Sequence, residues 1–482
     1  MADSQPTLDV VVIGGGPGGY VAAIRAAQLG LRTAMIEKEP APGGTCLHWG
    51  CIPTKAMLHT AEVLENARHG DRFGVKTAGA SLDLAAMHAY KGRVVDQMAK
   101  GIEGLLKRNG VESIRGFGRL ASPKTVEVLV DGRVERTLEV KNVILATGSA
   151  VRGLPGMEFD SNRIISSDDA LHLKTVPKSM IVLGAGAVGV EFASIYASFG
   201  TSVTILELLP RALPLEDEDV SAEIARAFKK RNIAVHTDAR VEIVEKKADH
   251  LVVTATQSGK AASFSAEVLL VAVGRRPLSE GLGLEKTRVK IDRGFVKVDP
   301  LMRTDEPAIY AIGDLVPTPA LAHVASHEGQ VAAEAIAGRN PRPVNYDRVP
   351  ACTYCDPEVA SVGLTEAAAR SRGIEVKSAR FPFAAIGKAA ILGDTGGFVK
   401  MVSDAKLDEI LGVHIVGPRA TELIAEVSLG LQIETTGEEI IHAIHPHPTL
   451  SEAMGEAALA LHGRAIHVFQ DAARALAAAR AR

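Results

Sequence analysis

The sequence predicts an α/β protein made of two doubly wound parallel-sheet units followed by a smaller α+β domain. Three observations carry this. A strand, a glycine-rich turn and an Ala-rich helix occur near the N-terminus and again 170 positions later, from Gly14 to Gly184. Beyond about residue 346 that pattern stops and short β-rich segments (GGFVKMV, EILGVHIVG) take over before further helices. The 482 residues are about three times the ~150-residue prior for one domain, which argues against a single core.

The elements follow in chain order. Residues 8–13 (LDVVVI) are a Val-rich apolar run, expected as a parallel strand buried on both faces. Gly14, Gly16 and Gly19 then open a helical run to Gly30, and a second strand ends at Glu37. In the second copy a strand at 180–183 precedes Gly184, Gly186 and Gly189; a helix runs to Gly200 and the strand TSVTILE ends at Glu207. A lone GxGxxG is weak, but two copies with matched strands, closing glycines and terminal carboxylates point to dinucleotide binding. The first Gly permits the turn, the second lets backbone approach a pyrophosphate, the third packs helix on strand, and the helix N-terminus attracts the phosphates. The carboxylate, 23 residues after the first Gly (14 to 37, 184 to 207), suits ribose hydroxyls. The competing reading is tight turns without a nucleotide.

Composition narrows the partners. Hydrophobic residues at 46% and charged residues at 23% give a globular balance, so disorder and coiled coil are excluded as the main architecture. With 54 Lys+Arg against 57 Asp+Glu, no basic field draws the chain to nucleic acid or membrane. Aromatic residues at 4%, with one Trp, argue against a base-stacking platform. The apolar stretches 10–31 and 180–200 each hold glycines and a charge, Arg25 or Glu191, which disfavours a membrane span. Four cysteines cannot form a disulfide scaffold, and no signal-peptide pattern opens the chain, so a cytoplasmic setting is expected.

Other segments carry chemistry. Thr147-Gly148-Ser149 ends one apolar strand and Tyr310-Ala311-Ile312-Gly313-Asp314 another, and strand ends are where such sheets bind ligands. Cys46 and Cys51 lie five apart, separated by a loop containing Gly, and a helical stretch follows that would place Cys51 in its first turn, where thiolate is favoured. Two free core cysteines, or half of a metal site with Cys352 and Cys355, are the competing readings, although C-x4-C plus C-x2-C lacks zinc-ribbon spacing. His447 and Glu452 stand five apart in HPHPTLSE; Thr449 with Glu452 also has capping-box spacing, so Glu452 has a purely helix-capping alternative. His442, His445 and His447 are not expected to converge on a metal, because two prolines restrict them.

The doubled fingerprint, GGTCLHWGCIPTK, ATG, YAIGD and HPHPTLSE together resemble the flavoprotein disulfide reductases over nearly the whole chain, most closely their dihydrolipoamide dehydrogenase branch. The resemblance implies an FAD domain at 1–150 completed by 276–345, an NAD domain at 151–275, a dimerisation domain at 346–470 and a helical tail at 471–482. It implies FAD around Gly14, Gly16, Gly19, Glu37, Lys38, Gly44, Thr45, Lys55, Gly118, Thr147, Gly148, Ser149, Asp314 and the stretch Ala320, Leu321, Ala322 and His323. NAD is implied around Gly184, Gly186, Val188, Gly189, Glu207, Val241 and Gly274. Cys46 corresponds to the thiol that exchanges with substrate and Cys51 to the one beside the flavin. Lys55 and Glu191, each just inside its helix, correspond to a pair at the flavin edge, against the alternative of a surface ion pair worth little. Glu452 corresponds to the group that orients His447, the base, and the resemblance has this pair supplied by the neighbouring subunit of a homodimer.

Within that family the chain departs at His48-Trp49, where many members carry Asn-Val. Mercuric and large thioredoxin reductases are disfavoured because the C-terminus QDAARALAAARAR has no cysteine. An NADPH-dependent glutathione-type reductase is the main alternative, but Glu207 would repel a 2′-phosphate. A non-catalytic flavin-bound scaffold subunit is the alternative from another class. The expected substrate is a lipoyl group on a separate carrier chain, serving a 2-oxoacid dehydrogenase complex or glycine cleavage. Cys352 and Cys355 are read as structural.

Overall fold

The computed structural model describes residues 7–470, and the expected helical tail at 471–482 lies outside them. Leu8–Ile13 is the central strand of the first sheet; Val10, Val11 and Val12 are fully buried, as an apolar run covered on both faces must be. Thr33–Glu37 and Glu112–Arg115 extend the sheet on one side, Arg133–Leu145 and Ile309–Ala311 on the other, all parallel. Ile309–Ala311 arrives from beyond the second unit, so the chain returns to its first sheet. Arg133–Leu145 also runs antiparallel to Thr125–Val130, which pairs with Phe117–Ser122.

The second unit repeats this plan. Ser179–Leu183 is central, flanked by Ser202–Leu206 and Ala234–His236 on one side and by Val268–Val271 and Ile164–Ile165 on the other. A second antiparallel ribbon, Ala239–Lys246, Leu251–Gln257 and Lys260–Ala266, lies beside it. The repeat in sequence is therefore a repeat in strand order. The strand expected to end at Glu207 stops at Leu206, because at Glu207 the chain turns and the side chain takes the amides of Ala185 and Leu209.

Helix Pro17–Gln28 follows the first strand with proline in its first turn, where a missing N–H costs nothing. It packs closely on Ala322–Ile336: a Cβ on Gly329 would stand 2.6 Å from the Gly18 carbonyl oxygen, and Arg25 meets Glu334 at 2.6 Å.

The third layer is an antiparallel sheet in the order Ala351–Thr353, Val359–Gly363, Ile410–Val416, Phe398–Asp404 and Val376–Pro382, packed against helices Ala420–Gln432 and Glu452–Leu461. It joins the second unit through apolar packing, with Val359, Phe398 and Val416 in that unit's core, and through Lys400 Nζ, which donates to Asp217 at 2.8 Å and to Asp219 at 2.7 Å. Among the described residues no helix is long and apolar enough to cross a membrane.

Candidate active site

The two glycine turns have the same geometry. A Cβ on Gly14 would stand 2.3 Å from the Ala146 carbonyl oxygen, and one on Gly184 2.5 Å from that of Ala272. On Gly19 it would meet Gly14 O at 1.8 Å, and on Gly189 Gly184 O at 2.0 Å. Gly19 and Gly189 close the turn on its own backbone, while Gly14 and Gly184 seat it against the backbone beyond a neighbouring strand. The middle glycines differ: Gly16 has only Gly44 Cα at 3.8 Å, and Gly186 has nothing within 4 Å. Both cap their helices without a side chain, leaving the first-turn amides available. Open backbone with free amides is what a diphosphate requires, so the residues fit a dinucleotide in both units. Glu37 accepts from Gly15 N (2.7 Å) and Glu39 N (2.9 Å); Glu207 accepts from Ala185 N (2.6 Å) and Leu209 N (2.8 Å).

Beside Glu37 opens a cavity of about 610 Å³, with Met35, Pro42, Lys107 and Arg115 in its wall. Gly118, singled out from the sequence, does not line it. A Cβ there would meet Ile13 and Ile36 side chains at 3.0 and 3.2 Å, so Gly118 packs closely on its neighbours, and the strand Glu112–Arg115 contributes the cavity wall. Lys38 points away too, toward Glu39 at 3.8 Å.

Across the turn, Gly44 lies against Gly16, and Arg275 reaches the next residue, Thr45, through Nη2 at 3.4 Å. The same guanidinium donates to Ser149 Oγ at 2.7 Å, and Ser149 in turn hydrogen-bonds Asp314. Thr147 donates to Leu278 O at 2.7 Å, and Gly148 sits at φ +70 with open space above it. Ala320 precedes the helix Ala322–Ile336, whose N-cap, Leu321, is uncapped by a side chain; His323 donates to Pro350 O at 2.8 Å. In the second unit, Val188 is exposed at the helix start, Val241 is half-buried on its ribbon and Gly274 has open space above it. Sequence reasoning missed Arg275, although Gly274-Arg275-Arg276-Pro277 after a strand was a usable signal.

Cys51 is the first residue of helix Cys51–Arg68. Cys46 lies on a short helix, Gly44–His48, rather than in an open loop, because Gly43 at φ +126 turns the chain sharply enough to start one. Both are free thiols. The hydrogen bond from the Cys46 thiol, with the Lys55 ammonium acting against the cost of burial, lowers Cys51 to about 7; donating that bond and burial raise Cys46. Lys55 donates to both oxygens of Glu191 at 2.9 and 2.8 Å. Glu191 is buried and also accepts from Tyr354 N at 2.9 Å, while the Tyr354 ring lies 4.6 Å from the Lys55 ammonium. The segment Cys352–Cys355 thus touches this pair through backbone and ring. Cys355 itself is buried, and its thiol meets Pro357 O.

His447 and Glu452 meet through Nδ1 and Oε1 at 2.9 Å. Only half of the capping box forms: the helix begins at Glu452 with Ser451 as N-cap, and Glu452 Oε2 accepts from Thr449 N at 2.9 Å, while the Thr449 hydroxyl turns to Pro446 O and Ser451. The imidazole is 77% exposed on the third domain. His445 turns the other way, to Glu426 at 2.9 Å.

The pyridine nucleotide-disulphide oxidoreductase family matches residues 8–329, and its dimerisation domain matches residues 349–458. A dihydrolipoyl dehydrogenase of Bacillus subtilis (strain 168) is 47% identical over 469 residues, covering 95% of this chain and 99% of the relative. One from Zymomonas mobilis is 45% identical over 463 residues, covering 95% and 99%. Among solved structures, LpdA from Mycobacterium tuberculosis superposes with a TM-score of 0.87 at 27% identity, over 94% of this chain and 99% of that one. The HOCl-induced flavoprotein disulfide reductase RclA from Escherichia coli gives 0.82 at 27%, over 93% and 99%. A repeated dinucleotide fold, a cysteine pair at a helix start and these matches agree, and the chain belongs to the pyridine nucleotide-disulphide oxidoreductase family.

Proposed function

We propose that this chain is a dihydrolipoyl dehydrogenase: it oxidises a protein-bound dihydrolipoyl group to the cyclic disulfide and reduces NAD+ to NADH, releasing one proton. The observation that carries the proposal is the asymmetric cysteine pair, with Cys51 lowered to about 7 beside Lys55 and Cys46 raised. The near-full-length likeness to dihydrolipoyl dehydrogenases supports it.

The residues divide the work. In the oxidised enzyme Cys46 and Cys51 form a disulfide. A substrate thiolate attacks Cys46, forming a mixed disulfide as Cys51 leaves as thiolate, the form its surroundings favour. The second substrate thiol then displaces Cys46, and His447, held by Glu452, accepts the proton. The exposure of that imidazole supports its presentation to the other subunit of a homodimer. Lys55 and Glu191 hold a fixed charge pair beside Cys51. FAD, when bound at the first glycine turn, supplies two-electron transfer between the dithiol and the nicotinamide. Glu207, with both oxygens bound to backbone amides, suits an unphosphorylated adenosine ribose and supports NAD over NADP.

The carrier of the lipoyl group is a separate chain in this reading, and the enzyme serves a 2-oxoacid dehydrogenase or glycine cleavage complex. A cytoplasmic setting belongs with it, since all four cysteines are free thiols. The test is a panel of dihydrolipoamide, oxidised glutathione and Hg2+ with both nicotinamides. Dihydrolipoamide with NAD+ should give the highest kcat/KM and Cys51→Ser should abolish it; preference for glutathione and NADPH overturns the reading.

A further inference from the structure

Asp314 sits in the turn Gly313–Leu315, just after strand Ile309–Ala311. The turn begins with Gly313 at φ +67, and its amide donates to Glu328 Oε2 at 2.6 Å. Glu328 is 0% exposed, on helix Ala322–Ile336. Its other oxygen accepts from the Tyr346 hydroxyl at 2.8 Å, in the segment that leads into the third domain. A wholly buried carboxylate is expensive to keep, and here both of its hydrogen bonds come from uncharged donors.

The carboxylate is also immobile. The neighbouring Gly329 packs so closely on Gly18 of the first glycine turn's helix that a Cβ would come within 2.6 Å of the Gly18 oxygen. Gly313 packs against the same helix, where a Cβ on it would stand 3.1 Å from that of Ala325. One rigid helix therefore braces both the first dinucleotide turn and the Asp314 turn.

We infer that Glu328 is a positioning residue for FAD: it fixes the Gly313 turn so that Asp314 meets the ligand, and it links flavin retention to the Tyr346 segment entering the dimerisation domain. The inference rests on the FAD reading above. It explains why the buried group is a carboxylate rather than an amide. Only a carboxylate offers acceptors to both donors, whereas glutamine would turn its amino group toward one of them.

The test is FAD affinity of the full-length apoprotein, followed by flavin fluorescence, for Glu328→Gln and Tyr346→Phe. Losing one of the two acceptor oxygens that hold the Gly313 turn and Tyr346 predicts roughly tenfold or more weaker FAD for Glu328→Gln and a smaller loss with faster flavin release for Tyr346→Phe. NAD+ affinity and the apoprotein Tm should stay at wild-type values. Wild-type FAD affinity in both variants overturns the inference, and so does an equal loss of FAD and NAD+ binding with a lowered apoprotein Tm. If Glu328→Gln fails to fold, Tyr346→Phe decides alone. Failure of the wild type to bind FAD would instead sink the functional reading.

Discussion

Glu452 holds His447 with one oxygen and the turn behind it with the other, Oε1 on the imidazole Nδ1 and Oε2 on Thr449 N, each at 2.9 Å. The base is therefore fixed in both rotation and position. His447→Gln should lower kcat by about 10²- to 10⁴-fold, the usual worth of a positioned proton acceptor, while Glu452→Gln should cost roughly ten- to a hundredfold. The His447 hydrogen bond is the main cause of the lowered Glu452 pKa, so the carboxylate stays ionised above the ordinary carboxylate range and protonates only as pH falls through its lowered value. The Glu452→Gln penalty on kcat should accordingly be level from about pH 6 to 8; a penalty that fades across that window contradicts the geometry.

Lys55 counts against the cost of burying Cys51. In a Cys46→Ser background the serine hydroxyl still donates to Cys51, so a single thiol can be titrated by its rate of alkylation with iodoacetamide. Adding Lys55→Met removes the ammonium's attraction that favours thiolate, and the alkylation midpoint should rise by roughly one pH unit or more above that of the Cys46→Ser protein. An unmoved midpoint would mean that the ammonium has no influence on the sulfur.

The parts legible in the sequence were those fixed by local backbone rules. Gly14, Gly19 and their counterparts announce the turns because no other residue fits beneath Ala146 O or Gly14 O, and Gly16 and Gly186 mark the open backbone between them. Cys51 announces its helix start because a stretch of helical character follows it. What stayed hidden depends on long-range meetings. Arg275 joins Thr45, 230 positions away, and Tyr354 meets Glu191 from a different domain. Glu328 looks like an ordinary helix carboxylate until its burial is seen. Gly118 packs under Ile13, and a glycine that packs so and one that lines a ligand read alike in one dimension.

The glycines of the second turn should separate binding from folding. Gly186→Ala places a Cβ in open space, with nothing within 4 Å, so Tm and FAD content should hold while the methyl occupies the diphosphate's path. KM for NAD+ should rise roughly tenfold or more, a loss of about 1.4 kcal/mol in binding. Gly189→Ala drives its Cβ to 2.0 Å from a backbone oxygen, which the helix must move to relieve. That variant should lose about 1–3 kcal/mol of stability by denaturant titration, as overpacked sites do. Equal effects from the two substitutions would contradict the assignment.

Lys400 offers the clearest stability test, because it is 5% exposed and joins the third domain to Asp217, itself buried at the start of the second unit's helix Glu218–Lys230. Burial alone would push Asp217 up; the Lys400 hydrogen bond, His414, the Asp219 amide and the Lys400 charge together outweigh that and leave it lowered. At Glu366 burial is likewise outweighed, by Arg370, Ser378 and Lys400 together, and it falls to about 2. Lowered folded-state values mean stability that is present above the unfolded carboxylate values near 4 and lost as pH falls through the folded ones. Lys400 is raised, so its share is present below its ordinary value and lost only in strong alkali. Lys400→Met leaves the buried Asp217 carboxylate without a cation, while Asp219 keeps Arg380 and Glu366 keeps Arg370, and should cost about 3–5 kcal/mol at pH 7. In urea titrations the gap between wild type and variant should shrink as pH drops from about 5 toward 3, because protonation removes the charges that the missing lysine no longer balances. A gap that stayed constant with pH would show that Lys400 acts by packing its methylenes rather than by its charge.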